Sequence, residues 1–76
     1  MSSEITEKYM TELENFAKNI KDLRKQYNYT QKYVAQQLGI TYQSYQAYEL
    51  GITVPTLQNF IKLAKFYDVP YEDLLS

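Results

Sequence analysis

Apolar residues recur along this chain with the period of an α-helix. From Tyr9 to Tyr27 they are spaced three or four residues apart, which predicts one long amphipathic first helix. The stripe consists of Tyr9, Leu13, Phe16, Ile20, Leu23 and Tyr27. Residues 1 to about 6 are polar, and we expect them to be frayed. A later stripe predicts another helix, and it consists of Leu57, Phe60, Ile61, Ala64 and Tyr67, with Leu63 to widen it.

Two shorter helices are predicted between these stripes. Thr30 and Thr41 can each cap a helix, because a threonine side-chain oxygen accepts an orphaned backbone N–H. Gly39 and Gly51 can each end one, since glycine adopts the left-handed backbone that commonly follows a helix. Two helices joined by a short glycine-containing turn form a helix-turn-helix, whose second helix can enter the major groove of DNA.

Turn residues set the remaining boundaries. Asn28 suits the left-handed position that ends the first helix. Thr56 can cap the fourth helix, and the segment 68–70 ends it with a proline. Pro70 is tolerated at the start of a last short helix, Tyr71 to Leu75. The pattern therefore predicts an all-α domain of five helices.

The composition excludes several kinds of chemistry. The 76 residues have room for one domain and contain neither cysteine nor histidine, so disulfides, thiolate metal sites and Cys or His nucleophiles are excluded. The neighbouring pairs Glu12 with Glu14 and Glu72 with Asp73 are interpreted as solvated or helix-end charges rather than a catalytic pair. We expect no enzymatic activity, cofactor or metal. A polar start and no long apolar run predict a cytoplasmic protein without a membrane segment.

The charge is unevenly distributed along the chain. The formal net charge is -1, with -3 in residues 1–14, +4 in residues 15–41 and -2 in residues 42–76. Lysine and arginine supply most non-specific affinity for DNA, so the basic segment would suit the approach of the helix pair to phosphates. The alternative interpretation of this cluster is a solvated helix face.

A set of residues that covers most of the chain follows a characteristic order and spacing. It consists of Ile20, Leu23 and Arg24; Thr30-Gln31 and Val34-Ala35; Leu38-Gly39-Ile40-Thr41; Tyr45, Tyr48-Glu49 and Gly51; Pro55, Leu57 and Lys62-Leu63-Ala64; Phe66-Tyr67-Asp68-Val69; and Asp73-Leu74-Leu75. This arrangement resembles the Cro/C1-type (XRE-like) helix-turn-helix family of phage and bacterial repressors. The resemblance implies a five-helix lambda-repressor-like DNA-binding domain with an extended first helix. Residues 1–15 would form an N-terminal extension continuing into helix 1, and residues 16–75 the helix-turn-helix domain.

The resemblance also implies which residues contact DNA. The expected base-contacting residues are Tyr42, Gln43, Ser44, Gln46 and Ala47, and the expected backbone-contacting residues are Gln31, Lys32 and Thr41. Gln43 is the first choice for a base contact, because glutamine can pair bidentately with adenine. Gln43 and Gln46 could instead be solvated helix residues. In similar proteins the positions of Arg24 and Glu49 form a structural ion pair between the first and third helices.

The function expected from this resemblance is sequence-specific DNA binding by a transcriptional regulator, a phage or mobile-element type repressor that occupies its operator. A homodimer is expected, with the long first helix and Tyr71 to Leu75 as candidate surfaces. The third helix has no lysine or arginine, and Ile52-Thr53-Val54 is apolar, which lowers the expected number of phosphate contacts. The alternative is a protein-interaction module on the same fold, anti-repressor or antitoxin-like, whose tyrosine-rich surface binds a protein partner.

Overall fold

The computed structural model describes residues 3–76, with side chains from Thr11 onward. Within that range the chain forms four α-helices, one 3-10 helix and no strand. The helices are α1 (Ser3–Gln26), α2 (Gln31–Leu38), α3 (Tyr42–Leu50) and α4 (Leu57–Tyr67), followed by the 3-10 helix (Tyr71–Leu74). The all-α prediction is confirmed. The predicted last short helix, Tyr71 to Leu75, is present as a 3-10 helix over Tyr71–Leu74, so the described residues contain four α-helices rather than five. Among residues 3–76, none of the helices combines the length and apolar character that a membrane span requires.

Helix α1 has the unusual length that the apolar spacing predicts, since it runs for 24 residues. It begins at Ser3, so residues 3–6 are part of the helix, and residues 1–2 lie outside the described residues. The predicted core position of Tyr9 lies outside the described side chains. Phe16 and Ile20 are buried, whereas Leu13 is 40% exposed, because the small core covers only the second half of the helix.

The helix ends are set by the residues that the sequence indicated. The side chains of Thr30, Thr41 and Thr56 each accept a hydrogen bond from the backbone N–H three residues later, as N-caps do. Gly39 and Gly51 adopt left-handed backbones with φ of 71° and 72°. Asn28 ends α1 in the same conformation, and Asp68 does so for α4, where the sequence analysis predicted only that the helix would break.

The core lies between the second half of α1 and the other helices. Its members are Phe16, Ile20, Val34, Ala35, Leu38, Tyr45, Tyr48, Leu63, Ala64, Tyr67 and Leu74. Leu57 was predicted to belong to the apolar stripe of α4, but it is 74% exposed, and Leu63 is fully buried instead. Leu57 is the first residue of α4 and lies at the end of the helix, so its side chain is not covered by the core.

The last turn is a 3-10 helix rather than an α-helix, and side-chain amides of α1 donate hydrogen bonds to its backbone carbonyls. Tyr71–Leu74 is only four residues long, and the N–H of Asp73 bonds to the carbonyl of Pro70 three residues earlier. The Asn15 side-chain amide donates to the Leu75 carbonyl at 3.2 Å. The Asn19 amide lies 3.1 Å from the carbonyls of Asp73, Leu74 and Ser76. These asparagines satisfy the carbonyls that a short helix leaves unpaired.

Candidate nucleic-acid interface

Helix α3 divides into a buried face and an outward face. Tyr45, Tyr48 and Glu49 are buried against the core. Of the five expected base-contacting residues, Gln43 and Ser44 are exposed, and Tyr42, Gln46 and Ala47 are partly buried. Residues three, four and seven apart share one side of a helix, so Gln43, Gln46, Ala47 and Leu50 form a single outward face. Leu50, 65% exposed, belongs to this face and was missed in the sequence analysis, although its spacing from Gln43 could have indicated it.

A second group of expected contact residues meets where α2 begins. The ammonium of Lys32 lies 5.7 Å from the centre of the Tyr42 ring, in a cation–π contact. The two side chains border an open cleft of about 490 Å³, whose lining consists of Arg24, Tyr29, Thr30, Gln31, Lys32 and Tyr42. The structure therefore brings Gln31 and Lys32 of α2 together with Tyr42, the first residue of α3.

The turn before α3 is held by two hydroxyl groups. The Thr41 hydroxyl donates to Ser44 Oγ at 2.8 Å and accepts from the Ser44 backbone N–H at 3.1 Å. Thr41 was expected to contact the DNA backbone and Ser44 a base. Both side chains are exposed, but the Thr41 hydroxyl is already engaged within the helix cap. The Ser44 hydroxyl keeps its own hydrogen available to a ligand.

A buried ion pair joins the first and third helices. Arg24 Nε lies 2.6 Å from Glu49 Oε2, and Arg24 Nη2 donates to Glu49 Oε1 at 3.0 Å. The two side chains are only 14% and 2% exposed, respectively. Arg24 Nη1 donates to the Tyr29 carbonyl, and Gln31 Nε2 donates to Glu49 Oε1, both at 3.0 Å. One carboxylate thus links α1, α2 and α3, and the sequence analysis missed that Gln31 is a partner of Glu49 beside Arg24.

The Glu49 carboxylate is the electrostatic centre of this network. Burial alone would raise the pKa of Glu49, but hydrogen bonds from Arg24, Tyr45 and Gln31 and the charge of Arg24 hold it below its ordinary value of 4.5. The hydrogen bond with Glu49 likewise raises the pKa of Arg24. Glu49 and Arg24 therefore remain charged together near neutral pH.

Two buried tyrosine hydroxyls extend the network into the core. The hydroxyl oxygens of Tyr45 and Tyr67 lie 3.4 Å apart. Burial raises the pKa of Tyr45 well above its ordinary value and raises the pKa of Tyr67 to about 12, so both stay neutral. A Tyr45 hydroxyl that donates to Glu49 can still accept from Tyr67. Sequence periodicity indicated that Tyr45 and Tyr67 are buried, but it carried no signal for this pairing.

The described residues offer surfaces to which a ligand could bind. In the described part of the chain, no three acidic side chains lie close enough together to hold a metal ion. The described side chains also include no buried polar nitrogen or oxygen that lacks a hydrogen-bond partner. The buried polar atoms of the described side chains are thus all hydrogen-bonded, and exposed polar groups lie on the outward face of α3 and in the cleft beside Lys32.

Residues 20–74 match the model of a helix-turn-helix family. The cryptic phage CTXphi transcriptional repressor RstR of Vibrio cholerae is 43% identical over 61 residues, which are 80% of this chain and 55% of the relative. The uncharacterized HTH-type transcriptional regulator YqaE of Bacillus subtilis (strain 168) is 42% identical over 60 residues, 79% of this chain and 52% of the relative. The chain thus spans about half the length of these relatives. No solved structure matches significantly.

The buried ion pair predicts a large effect of removing one partner. Arg24→Ala leaves the Glu49 carboxylate, which is 2% exposed, without a cation. We expect a loss of about 3 to 5 kcal/mol in the free energy of unfolding, measured by urea denaturation. Lys18→Ala is the matched control, because it removes a pair with Asp22 whose side chains are 74% and 52% exposed, and should lose less than about 1 kcal/mol. Equal losses in the two variants would contradict this account.

The lowered pKa of Glu49 predicts a dependence of stability on pH. In the unfolded chain this carboxyl binds a proton more readily than in the folded one, so its contribution is present above about pH 4.5 and is lost as the pH falls toward the folded pKa. We expect Glu49→Gln to be less stable than the wild type at pH 7, with the difference shrinking as the pH is lowered below about 4.5. Urea titrations at several pH values measure this difference. A gap that stays constant down to pH 3 would show that the Glu49 charge does not supply it.

Proposed function

Because this chain belongs to the helix-turn-helix family, we propose that it is a sequence-specific DNA-binding transcriptional regulator, and specifically a repressor of phage or mobile-element type. The observation that carries the proposal is the outward face of α3. It presents glutamine amides on a helix whose opposite side is fixed to α1 and α2 by the buried Arg24–Glu49 pair. A rigidly held helix can place hydrogen-bonding groups against base edges at a fixed depth and register.

We propose that α3 is the helix that reads bases. Gln43 is exposed at its first turn, and glutamine can bond bidentately to the N6 and N7 atoms of adenine. Gln46 and Ala47 follow one turn later, where alanine can contact a thymine methyl group. Tyr42 and Ser44 flank Gln43 and complete the proposed set. Leu50 extends the same face with an apolar side chain.

We propose that the residues lining the cleft at the start of α2 contact the DNA backbone. The Thr30 side chain accepts from the Tyr33 N–H, which leaves the amides at the first two helical positions to solvent or to a phosphate. Lys32 adds a positive charge at the same place. One hydrogen of Gln31 Nε2 is used on Glu49, and the amide keeps a second hydrogen for a phosphate oxygen. Thr41 can contribute through its backbone.

Regulation by simple occupancy fits this proposal. The relative RstR is described as a transcriptional repressor, and the resemblance covers four fifths of this chain. A lambda-repressor-like domain acting in the cytoplasm as a homodimer would cover two half-sites of an operator and exclude other proteins from it. In this proposal residues 16–75 form the DNA-binding domain and residues 1–15 are its N-terminal extension. The proposal includes no catalytic role.

The absence of positive charge on α3 favours a second candidate, a protein-interaction module on the same fold. Between Tyr42 and Leu50 there is no lysine or arginine, and the chain as a whole carries a net charge of -1. Phosphate contacts supply most non-specific affinity, so few such contacts would make DNA binding weak. Tyrosine and exposed leucine on the same surface would suit a protein partner.

Recovery of duplexes from a pool of random and genomic fragments tests the two candidates. The folded chain is incubated with the pool at about 50 mM and about 200 mM salt, and the bound DNA is sequenced. We expect a palindromic motif at both salt concentrations, because base contacts persist when phosphate contacts are screened. Recovery without any motif, from protein shown to be folded, would overturn the DNA-binding proposal and favour the interaction module.

Substitution of Gln43 tests whether α3 contacts DNA bases. We expect Gln43→Ala to weaken binding to the selected operator by about 1 to 3 kcal/mol and to relax the preference at one base pair, because an amide that pairs with adenine is lost. Gln37→Ala on α2 is the matched control, since Gln37 is also an exposed helix residue but lines a cleft between α2 and α4 rather than the outward face of α3. Fluorescence anisotropy measures both affinities, and circular dichroism checks the fold. Equal affinities for wild type and Gln43→Ala would refute the assignment.

A further inference from the structure

Two glutamine amides on the outward face of α3 are not used within the protein. Gln43 is exposed and Gln46 is partly buried, and in the part of the chain that the structure describes neither amide is bound to another protein group. The Gln31 amide, by contrast, donates to Glu49 at 3.0 Å. A free amide offers an acceptor oxygen and an N–H donor side by side, which match the N6 and N7 groups of adenine in the major groove. Both free amides of α3 therefore favour adenine.

Two apolar side chains lie on the same face as these amides. Ala47 follows Gln43 by one helical turn, and Leu50, which is 65% exposed, follows Gln46 by one turn. In the major groove only thymine presents a methyl group, at its C5 atom, and small apolar side chains contact it. Such a contact removes apolar surface from water on both partners. The apolar positions of the face therefore favour thymine, the partner of adenine.

The same face offers no group that selects a G·C base pair. Guanine is recognised by arginine or lysine at O6 and N7, and cytosine by a carboxylate that accepts from its N4 amine. Helix α3 contains no lysine or arginine, and its single carboxylate, that of Glu49, is 2% exposed and held in the buried ion pair. Lys32 lies against the Tyr42 ring beside the cleft proposed for the DNA backbone. The hydroxyls of Tyr42 and Ser44 both donate and accept, so they do not distinguish the base pairs.

The length of the face sets how many base pairs it can contact. Gln43 and Leu50 are seven residues apart, which is about 10.5 Å along a helix that rises about 1.5 Å per residue. Successive bases of one strand are about 3.4 Å apart along the DNA axis, so this distance covers about three steps. A face that favours adenine and thymine over its whole length therefore reads several neighbouring base pairs of the same kind.

We propose that the operator presents to α3 a run of about three or more consecutive A·T base pairs, read at adenine by the free amides and at the thymine methyl groups by the apolar side chains. This inference rests on the proposed DNA-binding function and specifies the class of DNA sequence that the same site takes. It makes binding sensitive to N6-methylation of an operator adenine. One N6 hydrogen pairs with thymine, and the methyl group replaces the other, which the glutamine oxygen would accept.

The composition of the selected duplexes tests this inference. Among fragments recovered from the random pool, we expect the positions that contribute most to affinity to include a run of about three A·T pairs. A motif whose most informative positions are G·C pairs would overturn the inference and leave the proposed DNA binding intact. Recovery without any motif, from folded protein, would overturn the proposed function itself.

A change of one reading side chain should change the selected base. We expect Gln43→Arg to select guanine in place of adenine at one position of the run, because arginine bonds to O6 and N7 of guanine. Gln37→Arg is the matched control, since it adds the same charge at an exposed position of α2 and should leave the selected motif unchanged. A Gln43→Arg variant that selects the wild-type motif would contradict the inference, and circular dichroism checks that both variants are folded.

Base analogues in the selected operator test the contacted atoms one at a time. Deoxyuridine in place of thymine removes only the 5-methyl group, and we expect the dissociation constant, measured by fluorescence anisotropy, to rise about fourfold for each contacted methyl. N6-methyladenine at the adenine that Gln43 reads should raise it about tenfold. Gln43→Ala should lose that sensitivity, because the amide is gone.

The same analogues placed outside the selected motif are the matched control and should leave the dissociation constant unchanged. A wild type that binds the unmodified operator but is insensitive to both analogues within the motif would overturn the inference. A wild type that binds neither modified nor unmodified duplex would overturn the proposed DNA-binding function instead.

Discussion

The buried pair of Arg24 and Glu49 is the constraint on which the rest of the structure depends. Two charges in a site that is nearly closed to solvent are tolerated only when their hydrogen bonds are satisfied, and here Tyr29 and Gln31 satisfy the remaining groups. Because these residues come from α1, α3 and the start of α2, the pair fixes three elements at one point. The orientation of the outward face of α3 follows from it, since Glu49 lies on the opposite side of the same helix.

The proposed interface is polar but carries little charge, and this shapes how it would bind. Arg24 and Lys32 line the cleft at the start of α2, but Arg24 is paired with Glu49, and α3 itself has no basic residue. With few counterions to release, affinity would depend less on salt and more on base contacts than in a basic DNA-binding domain. Weak individual domains make association between copies more important, because two half-sites bound together share the entropic loss of association.

Local features of the fold could be predicted closely from the sequence. Thr30, Thr41 and Thr56 cap helices, and Gly39 and Gly51 end them, because a cap depends on side-chain chemistry within three or four residues. The burial of Tyr45 and Tyr48 followed from helical spacing. The conformation of residues 71–75 could not be predicted from the local sequence. Their 3-10 geometry accompanies contacts with Asn15 and Asn19 more than fifty residues away, and local propensity does not contain such contacts.

The sequence by itself determined the helical class, the two capped helices with their turn, and the polar side chains on the outward face of α3. Each of these features depends on neighbours within one or two helical turns. Only the tertiary structure decided that Gln31 is a partner of Glu49 beside Arg24, that Tyr45 and Tyr67 meet in the core, and that Leu57 is exposed beside Leu13 in an apolar groove. These features depend on how separate helices pack, and periodicity within one helix fixes which side is apolar but not what that side will touch.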